Sequence, residues 1–178
     1  MAASTKSAAR RPTPNLPVRV AYDRFEFNPC GTKLDVLIRQ DPSRAQRIHD
    51  ISQKTNDEAE RLLRHGRYTG HQSAFRHALL MYRIACEFGA DVAKSFGDAH
   101  ELASSGSLGE RLMNLYNNWV GRTLACDPAH KGKLNKGDIN LIWEALHAGH
   151  LQTLADSTYA PLPTDKNKIG SKTYHGFL

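Results

Sequence analysis

The stretch from Ser73 to Arg122, SAFRHALLMYRIACEFGADVAKSFGDAHELASSGSLGERLMNLYNNWVGR, holds the longest apolar periodicity in the chain. Apolar residues recurring every three or four positions place a stripe on a helix. From about Gln72 to Phe88 there are two such stripes, one of Phe75, Leu79, Tyr82 and Cys86, the other of Leu80, Ile84 and Phe88. A helix apolar on more than one side is normally surrounded by others. The pattern predicts an all-α, single compact domain of roughly five to seven helices packed around this central one.

The flanking sequence fits that architecture. Residues 1–17 mix small, basic and proline residues with almost no large side chains, so they read as a flexible basic arm. The single domain is expected over 18–158, beginning with an extended VRVAYDRFEF and the turn Asn28-Pro29-Cys30-Gly31. Thr32 can cap a short helix to Gln40. Asp41-Pro42 then starts a helix toward His65, with a break expected near Thr55-Asn56-Asp57. Gly89 separates the central helix from one ending near Ala103, with Val92, Phe96, Ala99 and Ala103 facing in. Leu108, Leu112, Leu115 and Trp119 mark the inward face of the next helix, and Ile139, Ile142, Trp143 and Leu146 that of a last helix from Asp138 to His147. Residues 159–178 show no period and read as an irregular tail.

Of the 178 residues, 24 are Lys or Arg and 18 Asp or Glu, a net charge of +6. That balance favours an anionic substrate or surface, such as a cell wall, a phosphoester or a nucleic acid. No run approaches the roughly eighteen apolar residues of a membrane span, and the N-terminus lacks the apolar core of a secretory signal. Three cysteines at no metal-ligand spacing point to synthesis in a reducing cytoplasm, so export would need a route without a cleaved signal.

The residues that can carry chemistry sit on the apolar helices. His77 shares a face with Leu80 and Ile84, so it points inward, either as a core histidine or as part of a site. Asp98 and Glu101, three apart, share a face and can serve one ion or proton. His100 joins them only where the helix ends, and Lys94–Asp98 is the competing reading, a surface ion pair. Asn117-Asn118 costs about 1 kcal/mol of helix propensity relative to Ala. Asn114, Asn118 and Arg122 follow at four-residue steps, and mid-helix Gly121 suggests close approach of another backbone or a ligand. The other histidines form no strong pattern, although His71 sits just before the central helix and His147 and His150 are three apart. No metalloprotease, nucleotide-loop or serine-nucleophile motif is present.

These strings, SAFRHALL (73–80), DAHE (98–101), MNLYNNWVGR (113–122) and EALHAGHL (144–151), resemble an uncharacterised family of small bacterial α-helical domains. That family's pattern runs DAFRHAYW, DAHE, MDLHNNxxGR and ALxxGxL. LIRQDPSRAQRI (37–48) resembles its lead-in, so the likeness covers about residues 30–155. Some members resemble toxin modules at the ends of secreted proteins, which implies a toxin or effector context and an immunity partner. This chain departs from the pattern at Ser73, Asn114 and Tyr116, where the family has Asp, Asp and His.

The leading reading is a toxin hydrolase. His77, Asp98, His100 and Glu101 are its catalytic candidates, and Arg76, Asn117, Asn118 and Arg122 would bind substrate. In its metal-assisted form, His77, Asp98 and His100 hold a divalent metal ion that activates water. His77 and the later His-acid pair also look like the HD phosphohydrolases, although Glu101 stands where that pattern has Asp. In its metal-free form, Glu101 acts as the acid of a lysozyme-like glycosidase. The alternatives are a non-enzymatic basic binder of nucleic acid or envelope, and an interaction module whose buried polar network fixes helix register.

Overall fold

The computed structural model describes residues 33–63, 70–130, 136–154 and 161–163. The basic arm, the VRVAYDRFEF segment, Cys30, His65 and all of the tail except 161–163 lie outside them. Among the described residues six helices follow one another: α1 (Leu34–Gln40), α2 (Pro42–Leu62), α3 (His71–Phe88), α4 (Ala90–Ala103), α5 (Leu108–Cys126) and α6 (Lys136–His147). Strand β1 (Gln152–Leu154) then pairs antiparallel with β2 (Pro161–Pro163). The all-α expectation holds. The strand pair is a small addition within a segment whose sequence has no period.

Helix boundaries follow local chemistry. The Asp41 side chain accepts from the Arg44 amide at 2.9 Å and Pro42 takes the first helical position, so α2 starts where a cap and a missing N–H coincide. The expected break near Thr55 does not occur. Thr55 Oγ1 instead donates to Ile51 O within a continuous helix and accepts from Arg83, so its hydroxyl is used without unwinding the chain. Gly89 adopts φ 92°, which only glycine takes readily, and turns the chain from α3 into α4. Ser107 and Glu110 form a reciprocal capping box at the start of α5.

α3 is the centre, packing against α2, α4, α5 and α6. Its two apolar faces serve two cores. Phe75, Leu79 and Tyr82 join Tyr116, Val120, Ile142 and Leu146 in the larger one. Met81 and Ile84 join Ile48, Ile51, Ala93 and Phe96 in the smaller. Arg83, on the α2–α6 side, is buried in a polar set of its own, donating to Asp138 at 2.7 Å and Thr55 at 3.0 Å and pairing with Glu58 at 2.6 Å.

The inward face of α5 differs from the expected one. Leu115 is buried as expected, but Leu108 is 71 % exposed and Leu112 and Trp119 are half-buried, whereas Met113, Asn117, Asn118, Val120 and Gly121 are buried. The reason is Gly121. A Cβ there would lie 2.1 Å from the carbonyl oxygen of Ala78, so the bare glycine lets the backbones of α3 and α5 touch. This close crossing draws the adjacent asparagines into the interior. In α4, Phe96 and Ala99 are buried as expected, together with Ala93, Gly97 and Glu101, while Ala103 is exposed.

Candidate functional site

Three helices deliver one polar cluster beside the smaller core. α3 brings His77, 5 % exposed; α4 brings Glu101, 1 % exposed; α5 brings Asn118, 1 % exposed. His77 Nδ1 lies 3.2 Å from Asn118 Oδ1 and 3.5 Å from Glu101 Oε1. On the other edge of the ring, Arg76 Nη2 lies 3.3 Å from His77 Nε2. A guanidinium can only donate, so Nε2 accepts and Nδ1 carries the hydrogen. That hydrogen goes to Asn118 Oδ1, with Glu101 Oε1 just beyond. Glu101 Oε2 accepts from Asn114 Nδ2 at 3.0 Å, while Oε1 is buried without a hydrogen-bond partner.

The electrostatics follow from burial. Desolvation pushes the Glu101 carboxyl up to about 7, against the opposing pull of Asn114, Arg76 and Arg111. Desolvation, Arg76 and His100 hold the His77 imidazole down to about 3, so it is neutral at physiological pH. Near neutrality the pair therefore consists of a neutral imidazole and a carboxyl poised to gain or lose a proton.

A cavity of about 270 Å³ opens over this cluster between α1 and α2 on one side and α3 and α4 on the other. Arg76, His77, His100, Glu101 and Asn118 form its polar end. His100 stands at the rim, its ring centre 6.4 Å from that of His77. Its outer side is exposed, while burial of the rest of the ring, with Arg76 nearby, lowers its pKa. Gly97 leaves room here, since a Cβ would come within 2.9 Å of Met81 Sδ and 3.2 Å of the Asn118 amide nitrogen.

The remaining sequence candidates lie elsewhere. Asp98 pairs with Lys94 on the α4 surface, does not line the cavity, and reaches Arg122 only as a nearby charge. Arg122 is half-buried with Nη1 unbonded, outside the cavity lining. Asn117 spends both ends of its amide on the backbone of Gln152, donating to its carbonyl at 3.0 Å and accepting from its N–H at 2.9 Å, and so fastens β1 to α5. His71 starts α3 away from the cavity. His147 ends α6 with its ring on Trp143 and its Nε2 buried without a hydrogen-bond partner. Of Ser73, Asn114 and Tyr116, Asn114 touches Glu101, Ser73 is buried with its hydroxyl unbonded, and Tyr116 packs into the larger core.

Three rim residues escaped sequence reasoning. His49, Ser52 and Asn56 line the α2 side of the cavity, and His49 Nε2 lies 2.9 Å from Gln53 Nε2. The available signal was their spacing with Ala45, which puts all four on one helical face.

Among the described residues the proposed donor set does not suit a divalent ion. The three proposed ligands do not converge, because Asp98 faces Lys94 and His77 Nε2 faces a guanidinium. Among the described residues no three His, Cys, Asp or Glu side chains stand close enough to share a metal.

The cluster of His77, Glu101 and Asn118, with the crossing at Gly121, is assembled from residues 77–121. Residues 35–150 match the family model of DUF6973, a domain of unknown function. The chain belongs to the DUF6973 family. In this member every residue at the polar end of the cavity falls inside the matched region. No curated protein and no solved structure matches the chain.

Proposed function

We propose that this DUF6973 chain is a hydrolase in which Glu101 is the proton acceptor and donor and His77 connects it to the cavity. The observation that carries the reading is the buried Glu101 Oε1, without a hydrogen-bond partner and 3.5 Å from His77 Nδ1. A carboxyl with a pKa near 7 suits general acid–base work at neutral pH. A solvated surface carboxylate would have no reason to be so shifted.

Glu101 is too buried to meet substrate directly, and His77 is too weakly basic to hold a full charge. A relay resolves both difficulties. His77 Nε2 takes a proton from the attacking water as Nδ1 gives its own to Glu101 Oε1, and the imidazole is neutral before and after. The water oxygen bonds to the electrophilic centre, and the proton returns by the reverse path to the leaving group. Oε1 must close in by roughly half an ångström, a tightening common when substrate binds. Arg76, which blocks Nε2 in the free protein, shifts onto the developing negative charge. Among the described residues one carboxyl lines the cavity, which does not favour the two-carboxylate geometry of a lysozyme-like glycosidase. The family pattern supports a toxin or effector context, with an immunity protein as the natural counterpart.

The test uses purified protein against phosphoester and carboxylic-ester substrates in excess EDTA. Wild-type turnover is expected to persist, and His77→Gln, which cannot relay, to lose about 10²-fold or more. Turnover abolished by EDTA and restored by a divalent ion would replace this reading with the metal-assisted one.

A further inference from the structure

The lining of the cavity changes character along its length, and it does so on two helices together. α3 and α4 run antiparallel: His77 faces Glu101 and His100, and one turn further along Met81 meets Gly97. In that direction the lining of α3 passes from Arg76 and His77 to Leu80 and Ile84. The lining of α4 passes from Glu101 and His100 to Phe96. Leu34 of α1 packs at the apolar end with Ile84 and Phe96, and Ile38, one turn on, is 44 % exposed. Leu80 is only half-buried on a largely buried helix. The cavity is therefore polar at one end and hydrocarbon at the other.

The polar end presents both signs of charge. Among the described lining residues there is one guanidinium, Arg76, and one carboxyl, Glu101, on opposite edges of the His77 ring. Such an end offers hydrogen-bond donors and acceptors rather than a field of one sign, which suits a polar head without charge. At about 270 Å³ the cavity lies just below the usual range of small-molecule sites. A water takes up about 30 Å³ of the liquid and a methylene is of similar size, so the space holds roughly nine such groups.

We infer that the cavity takes an uncharged carboxylic ester, with its carbonyl at His77 and its acyl chain running along Leu80, Ile84 and Phe96 to α1. The inference rests on the hydrolase reading of the same site and names its substrate class. The oxygen of the water bonds to the carbonyl carbon, and the bond from that carbon to the alcohol oxygen breaks. The alcohol takes the proton returned through His77 and leaves past His100, which is exposed, so the acyl side occupies the wall. A guanidinium has five N–H donors, so the one 3.3 Å from His77 Nε2 can turn to the carbonyl oxygen while the others keep their contacts.

The experiment follows the methyl groups of Leu80 and Ile84 by NMR while the full wild-type chain is titrated with 2-decanone, 2-hexanone and nonanoate. The two ketones put an eight- or four-carbon chain on a carbonyl with no leaving group, so binding is read without turnover. Nonanoate carries the eight-carbon chain on a carboxylate. Saturable shifts are expected with 2-decanone, at an affinity about tenfold or more above that of 2-hexanone, as each buried methylene adds to binding. Nonanoate should bind about tenfold or more weaker than 2-decanone. Ile38→Asp, at an exposed position, should weaken 2-decanone about threefold or more and leave 2-hexanone unchanged.

Equal affinity for the two ketones, or nonanoate binding as tightly as 2-decanone, would overturn the inference. So would unchanged 2-decanone binding in Ile38→Asp. Turnover of ethyl nonanoate and ethyl pentanoate separates the inference from the hydrolase reading. If 2-decanone binds as expected and neither ester is cleaved, the hydrolase reading fails and the ligand class of the cavity stands. If both esters are cleaved equally fast and 2-decanone leaves the methyl groups unmoved, the ligand class fails alone.

Discussion

Gly121→Ala is expected to destabilise the domain by about 3 kcal/mol, at the upper end of overpacking costs. The added methyl would sit 2.1 Å from the Ala78 carbonyl oxygen and 2.9 Å from its carbon. Backbone cannot rotate aside as a side chain can, so α3 and α5 must separate. Asn118 lies one turn from this contact on the same helix, so the separation also pulls it from His77. For a domain of this size the expected loss of Tm is about 10 °C in a thermal melt. Gly106→Ala is the milder comparison: its Cβ would meet side-chain atoms, the Glu110 carboxylate and the Ser104 hydroxyl at 3.2 and 3.3 Å, rather than backbone, and Tm should fall much less. Equal melting of Gly121→Ala and wild type would mean that the helices do not cross through this glycine.

Glu101→Gln is expected to reduce turnover by about 10²- to 10⁴-fold while making the protein more stable at alkaline pH. The substitution keeps shape and an acceptor for Asn114, and removes only the ionisable proton. The sign of the stability effect follows from burial. Folded, the carboxyl holds its proton up to about pH 7; unfolded, it releases it near 4.5. The proton therefore favours the folded state at low pH. As pH rises past 4.5 the unfolded state ionises first, and stability falls until about pH 7. Glutamine carries no such cost, so at pH 8 the variant should exceed wild type by up to about 3 kcal/mol. At pH 4, below both values, the difference should nearly vanish. Parallel melts at the two pH values check this. A variant less stable at both would make Glu101 a structural partner of Asn114. Wild-type turnover should rise with pH through about 7, since the relay needs an ionised acceptor.

The fold was more legible in the sequence than the site. The double apolar stripe of α3, the Asp41-Pro42 start and the Gly89 stop each act through local physics, and each marks an observed boundary. The face of α5 was misread because periodicity counts apolar residues and cannot see backbone contact. Leu112 and Trp119 fit an apolar stripe, yet Gly121 and two asparagines occupy the seam. The glycine itself carried the right signal, since its helix cost made sense only as a close approach.

For the site, helical spacing put His77 inward and paired Asp98 with Glu101 on one face. It could not tell which of these meets His77, because that depends on how α4 rotates against α3 and α5. Rotation took Glu101 inward and left Asp98 to Lys94. The same limit applies to the paired asparagines. Asn118 went to the histidine and Asn117 to the strand after α6, a partner 35 positions away that no local pattern announces.

The central claim is that Glu101 is poised to exchange a proton near neutral pH beside a neutral His77. It is tested most directly by following the side-chain carboxyl carbon of Glu101 by NMR in labelled protein across pH 3 to 9, assigned by its absence in Glu101→Gln. The expected midpoint is near 7, with the His77 ring remaining neutral throughout the same transition. A Glu101 midpoint near 4.5, the ordinary value for the side chain, would contradict the account.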